Sequence, residues 1–397
     1  MIRLLFIILF IPEVLLANLN FGKDLSFETF DEDGFKKSLS KAIFEDNGWP
    51  ENHVYNEREY DVEYTINDQL TNYIIKELKR YRSDYTSVVV LDNNTGAILS
   101  AVDLQRKGNK VGKSMAFSSA HPAASVFKVI TAADLLDNTE VNKETKFSYN
   151  GRSTTLYKYQ LKDKKNRWTR AIPFEKAFAW SNNVVFGKAA IKNTNFKSIF
   201  STATKFGFNE ELLQIVEAGT SKLFPVESKY NLAELASGFN RKTMISPLHG
   251  ALIASVIANE GVLKKPYVVN SIKDVKQERE VWTPSYILSR SLSKEAALEL
   301  RSMMNLTVKR GTARGAFRPW KTRKIRDIEI GGKTGTITGG IPHGRRDWFV
   351  SYAKPKDDQT DAGISVCVMI VNLEKWYIKS TYLAKKIIQY YYDSLKE

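Results

Sequence analysis

Two hydrophobic rhythms alternate along this chain. Short runs rich in Val, Ile, Tyr and Phe predict strands at 87–91, 97–103, 327–334, 347–353 and 363–372. Longer stretches, with apolar residues recurring every three or four positions, predict helices at 68–82, 123–137, 172–191, 245–260, 293–309 and 379–395. Between the first two strands stands Asn93-Asn94-Thr95-Gly96, a turn in which Gly96 supplies a positive φ. Strands near both ends, with helices between them, predict an α/β sandwich.

One helix breaks the usual rule of polar faces. From Ala123 to Leu136 the apolar residues run almost all round, so the helix is predicted to be buried, yet it carries Lys128. Burying an ammonium costs several kcal/mol unless it is paired or gives up its proton. Ser125 lies three residues earlier, on the same side of the helix. Two readings remain open from this segment alone. Lys128 snorkels to water, or it is a base of lowered pKa beside a nucleophilic hydroxyl. Ser-x-x-Lys recurs as Ser38/Lys41, Ser291/Lys294 and Ser351/Lys354, where more polar neighbours predict solvated surface pairs.

Two further motifs follow in order. Ser181-Asn182-Asn183 ends the helical run from Ile172 to Trp180, and Lys333-Thr334-Gly335-Thr336 follows Gly331-Gly332. Ser148-Tyr149-Asn150 has the same Ser-x-Asn form but lies in a strand-like segment. Ser-x-x-Lys, Ser-Asp-Asn and Lys-Thr-Gly together are the signature of penicillin-binding proteins and class A β-lactamases. Here the three stand 56 and 152 residues apart, with Asn182 in place of the middle Asp. On these residues the chain resembles the transpeptidase domain of a penicillin-binding protein. Flanking segments extend the resemblance across roughly residues 60 to 395. They are Tyr64 to Leu78, the hairpin from Ser87 to Ala101, Thr243 to Gly261, Gly311-Thr312-Ala313 and Asp347-Trp348-Phe349-Val350.

The resemblance implies a five-stranded, mainly antiparallel sheet flanked by helices, with an all-helical insertion. It implies catalytic roles for Ser125 as nucleophile, Lys128 as base and Ser181 as proton relay. It assigns Asn183 to the substrate's peptide amide or to holding Lys128. Lys333, Thr334 and Thr336 would receive the substrate's terminal carboxylate, and Gly335 would let its backbone come close. The backbone N–H groups of Ser125 and Thr336 would form the oxyanion hole. The implied reaction is D,D-transpeptidation of peptidoglycan stem peptides through an acyl-enzyme, with β-lactams as covalent inhibitors. A D,D-carboxypeptidase or serine β-lactamase of the same fold is the alternative. A non-catalytic β-lactam sensor is a second one, against which stands the retention of Ser125, Lys128, Ser181 and Lys333. One segment departs from the family pattern. Ser237-Gly238-Phe239-Asn240-Arg241 stands where many members have a Gly-Gln-Gly turn, which bears on substrate detail and acceptor choice.

Other features bound the reading. Met1-Ile2-Arg3, an apolar run from Leu4 to Ile11 and a final Ala17 resemble a signal peptide at 1–17, or an uncleaved anchor. Residues 18–60 read as a short lead-in and 61–397 as the transpeptidase domain. Export to the periplasm or the outer face of the cytoplasmic membrane is the corresponding expectation. The formal charge of +15 favours anionic partners. The chain has no recognisable nucleic-acid motif, so cell-wall carboxylates or a membrane surface are expected instead. The single cysteine, Cys367, sits in a predicted core strand. The four histidines lack metal-ligand spacing, and neither metal nor cofactor is expected.

Overall fold

The computed structural model describes residues 30–45, 48–318, 327–358 and 360–394. The segment read as a signal peptide or anchor lies outside them. Elements used below are numbered in chain order. The central sheet is antiparallel and contains β3 (Tyr85–Asp92), β4 (Ile98–Gln105), β5 (Lys110–Gly112), β8 (Ile328–Gly339), β9 (Gly344–Pro355) and β10 (Ile364–Asn372). Their order across it is β8-β9-β10-β3-β4-β5. The sixth strand, β5, is three residues long, too short for a periodic pattern in the sequence, and pairs only with β4.

The sheet is covered on both faces, so its middle strands are buried almost throughout rather than alternating. One face carries α2 (Asp68–Arg80) and α9 (Ser380–Ser394), which pack Leu70, Ile74, Leu383 and Ile387 against Val88, Val366 and Val368. The other carries α7 (Pro247–Ala258), which is buried along its whole length. Gly250 lets α7 approach the sheet closely, because a Cβ there would lie 2.8 Å from Cys367 Sγ. Cys367 is accordingly a buried packing residue, and burial pushes its thiol pKa up.

The expected boundary near residue 60 falls inside a strand. α1 (Glu32–Glu45) leads into the hairpin β1 (Asn52–Tyr55) and β2 (Arg58–Tyr64). β2 pairs with β6 (Val269–Asp274), which pairs with β7 (Arg279–Trp282), closing a second sheet of four strands. Residues 32 to 64 therefore belong to the same compact unit as the remainder. The segment between β5 and β8 is mainly helical but also holds strands. Besides β6 and β7, Lys146–Tyr149 pairs with Arg170–Pro173. Among the described residues, no helix is long and apolar enough to cross a membrane.

The predicted helix over 172–191 is two helices, α4 (Phe174–Ala179) and α5 (Asn183–Asn193). Asn182 causes the restart. Its Oδ1 accepts from the Val185 N–H at 3.1 Å and caps α5. Ser181 takes the linking position with φ +56°, the left-handed region that L-residues seldom adopt. Apolar residues continue through the break because α4 buries Phe174, Ala177, Phe178 and Ala179, and α5 is buried from Asn183 to Gly187. The helix that follows Ser125 is also modified at its start. Ala124–Phe127 form a 3₁₀ turn, and the α-helix α3 runs Lys128–Asn138.

Candidate active site

Three chain segments supply the eight predicted site residues, and the fold brings all eight together. The first is the 3₁₀ turn before α3. Trp348, fully buried in β9, donates its Nε1–H to the Pro122 carbonyl at 3.0 Å and anchors this turn to the sheet. Ala124 has φ +50°. Two neighbours press on it. Gly335 of β8 is so near that an added Cβ would lie 3.2 Å from Ala124 Cβ and 3.3 Å from the Val126 nitrogen. Gly238, at φ +63°, faces the Ala124 carbonyl so closely that any Cβ would collide with it. A non-glycine residue in the left-handed region costs on the order of 1–3 kcal/mol, and such strain persists where surroundings enforce it. Here that strain sits one residue before Ser125.

The second segment is the α4–α5 junction. Asn182 caps the helix, while Asn183 begins it and turns its amide toward the site. Asn183 Nδ2 donates to the Thr154 carbonyl at 2.9 Å, which leaves its Oδ1 facing Lys128. The middle position of the motif is thus a helix cap, a job Asn performs as well as Asp. The third segment is β8, an edge strand carrying Lys333 to Thr336 beside the turn.

Lys128 Nζ has three polar neighbours. They are Asn183 Oδ1 at 2.7 Å, the Ser237 carbonyl at 2.5 Å and Ser125 Oγ at 2.9 Å. A neutral amine has two N–H donors and one lone pair. The two carbonyl-type oxygens can only accept, so they take both donors. The lone pair is then left for the one neighbour able to donate, the Ser125 hydroxyl. Burial holds the Lys128 pKa well below its ordinary value, and the nearby Lys333 cation lowers it further. The lysine is fully buried, so it does not snorkel.

Lys333 is equally buried but sits differently. Its Nζ donates to Ser181 Oγ at 3.0 Å and to the Thr334 carbonyl at 2.9 Å. Burial alone pushes its pKa down to about 7. Ser181 therefore touches one lysine, and Ser125 the other. Phe186 and Phe178 place ring faces 5.5 and 5.6 Å from Lys128 and Lys333. A cleft of about 1260 Å³ opens above, and Ser125, Ser181, Asn183, Thr334, Gly335 and Thr336 all line it.

Some participants escaped the sequence reading. Ser237 supplies a carbonyl to Lys128 from the last turn of α6 (Lys229–Ser237), and Gly238 ends that helix against Ala124. The departure Ser237 to Arg241 thus builds part of the site. The sequence marked this stretch as a departure and as a glycine just past a Ser-capped helix, but not its contacts with Lys128 and Ala124. Thr312 Oγ1 lies 2.5 Å from Thr334 Oγ1 in the cleft, held by Gly311 packing on the Ala179 carbonyl. The other Ser-x-x-Lys pairs form no such site. Lys41 and Lys294 pair with Glu45 and Glu260. Ser351 and Lys354, expected at the surface, are buried in β9, where three-residue spacing puts them on opposite faces. Asn150 of the second Ser-x-Asn accepts from Thr169 instead.

The penicillin binding protein transpeptidase domain family matches residues 86–389. The chain belongs to this family. Peptidoglycan D,D-transpeptidase PbpA of Mycobacterium tuberculosis is 25% identical to it over 324 residues, covering 72% of this chain and 62% of that protein. The chain thus spans about three fifths of the length of the curated relatives it matches. Among solved structures, the D,D-transpeptidase domain of a peptidoglycan glycosyltransferase from Eggerthella lenta superposes with a TM-score of 0.66 at 24% identity. That match covers 85% of this chain and 84% of that one. The penicillin G acyl-enzyme complex of penicillin-binding protein A from M. tuberculosis superposes with a TM-score of 0.60 at 21% identity, covering 83% and 79%. Both share the fold described above.

Proposed function

We propose that this member of the penicillin-binding protein transpeptidase family is a serine D,D-transpeptidase of peptidoglycan. The supporting observation is the fully buried Lys128 Nζ, its pKa held well below the ordinary value, within hydrogen-bond distance of Ser125 Oγ and of two oxygens that can only accept. Ser125 Oγ attacks the carbonyl carbon of the penultimate D-alanine while its proton passes to Lys128 Nζ. The oxyanion is received by the N–H groups of Ser125 and Thr336, the role the family resemblance gives them. Lys333 and the hydroxyls of Thr334 and Thr336 hold the terminal carboxylate. The C–N bond breaks, and the departing amine takes a proton relayed through Ser181, leaving the acyl group on Ser125 Oγ. An amine of a second peptide then attacks the ester carbonyl. Its proton returns through Lys128 to Ser125 Oγ as the new amide forms.

A β-lactam enters the same sequence and stops at the acyl-enzyme. The sequence of residues 1–17 and a substrate found in the wall support an exported protein working on the outer side of the cytoplasmic membrane. Labelled penicillin offered to wild type and to Ser125→Ala tests the reading. Wild type is expected to carry a covalent, long-lived adduct, and Ser125→Ala none. Release within seconds would make the protein a β-lactamase. No adduct on folded wild type would end the serine-acylation reading.

A further inference from the structure

The cleft is not uniformly charged. Beyond Ser181 and Asn183 its rim carries Glu227 and Glu234 and no cation. At the Thr338 end it carries Arg241, Lys242, Arg345 and Lys379. Register puts Arg345 on the strand next to the motif, since Thr336 pairs with Asp347 and Thr338 with Arg345, and Arg241 donates to the Thr338 carbonyl. The side chains of Arg345 and Lys379 flank the Trp376 ring at 4.8 and 5.9 Å. None of the four cations forms a close salt bridge among the described residues, though the Asp347 carboxylate lies within electrostatic reach of Lys379 and Arg345. The lobe's own carboxylate, Asp347, is buried and accepts from the Ser380 N–H at 2.8 Å.

Substrate direction follows from the acyl-transfer reading, on which this inference rests. The terminal carboxylate lies toward Lys333 and Thr334, and the scissile carbonyl lies beside Ser125 and Gly335. Residues upstream of the acylated D-alanine must then run along β8 toward Thr338. They cannot pair with the strand beyond it, because Arg241 Nε already donates to the Thr338 carbonyl at 2.8 Å. A strand advances about 3.3 Å per residue, so Thr338 lies roughly 7 Å past Thr336. The upstream peptide thus leaves the strand among four cations and an exposed indole.

We propose that Arg345 and Lys379, on the Trp376 ring, together with Arg241 at the Thr338 carbonyl, form a second anionic subsite. It takes a carboxylate carried by the donor peptide one or two residues before the acylated D-alanine. The contact is partly exposed, so it selects among substrates rather than supplying most of the binding, and salt weakens it.

The test uses full-length Ser125→Ala protein, which cannot be acylated, and two peptides ending in D-Ala-D-Ala. One carries a free side-chain carboxylate at the upstream position and the other its amide. Calorimetric binding is expected to favour the acid by about tenfold at low salt. In Ser125→Ala/Arg345→Ala/Lys379→Ala the preference is expected to shrink to about twofold or less, and with Lys379→Glu on the Ser125→Ala background to fall as far, because Arg241 remains in both. Equal affinity for acid and amide, a preference untouched by these changes, or binding of neither peptide would each overturn the subsite. Because no acyl-enzyme is needed, the result is separate from the penicillin test of wild type, whose failure would remove the acyl-transfer reading instead.

Discussion

Lys128 and Lys333 are the same residue type, equally buried and within electrostatic reach of each other, yet their surroundings give them different chemistry. Lys128 sits at the start of a helix, among two oxygens that accept and one hydroxyl that can also donate. That arrangement fits an uncharged amine. Lys333 sits on an edge strand at the cleft, with its own neighbour's carbonyl and one serine as partners. Its pKa falls to about 7, so at neutral pH it is divided between charged and neutral forms. A carboxylate entering beside it draws it to the charged form. Under the proposed reaction one lysine serves as the base and the other as a cation awaiting an anion, and Lys333 lowers the pKa of Lys128.

Removing the base breaks this contrast most severely. Lys128→Met should slow acylation by about 10³-fold, the range for a lost general base. It should leave the protein folded, with a stability change within about 3 kcal/mol set by the two orphaned acceptors. Penicillin labelling beside thermal melting measures both. Substantial acylation in a folded variant would remove Lys128 as the base.

The cation comes next. Lys333→Met should lower acylation by carboxylate-bearing substrates roughly 10- to 100-fold, the worth of a charged hydrogen bond. Its pH profile discriminates more sharply. In wild type Lys333 is charged below about pH 7 and neutral above it, so acylation should decline as pH rises through that value. Lys128 must be neutral, so acylation should also decline in acid, where its amine gains a proton. In Lys333→Met the basic limb should disappear. The acid limb should move to higher pH, since the cation that lowers the Lys128 pKa is gone. An unchanged basic limb would show that Lys333 does not set it.

The smallest effect concerns the scaffold between the two lysines. Asn182 touches neither, and Asn182→Ala should cost about 1 kcal/mol through the lost cap of α5. Asn182→Asp should be near neutral. Denaturant unfolding of both variants, with acylation rates beside them, would show whether the middle residue of this motif acts only through the helix.

Much of this was legible before any coordinates. The strands and helices were marked by periodicity, and the eight site residues by three motifs in order. What was hidden depends on contacts between distant parts of the chain. The second sheet joins residues 52–64 to 269–282; residues 59–64 do alternate polar and apolar, but the partner strand carries a register shift that breaks its own alternation, and the pairing spans some two hundred positions. The break at Ser181 was masked because buried apolar residues continue on both sides of it, from Phe174 to Ala179 and from Val184 to Ala190. The importance of Gly238 lies in the Ala124 carbonyl opposite, more than a hundred positions away.

The order of the central sheet has a consequence for how the chain comes to be folded. Strand β3 is buried on both faces, and its partners are β4, next in sequence, and β10, which begins at Ile364. A chain emerging N-terminus first exposes one unpaired edge of β3, with Val88, Val89 and Val90, until almost its last residues arrive. Such open apolar edges invite pairing between chains, and contacts of this separation form slowly. Cutting the chain before Ile364 would therefore not yield a shortened enzyme with its site intact. It would leave a sheet missing its middle strand, prone to aggregate, and roughly the last tenth of the sequence is better understood as the keystone of assembly than as a tail.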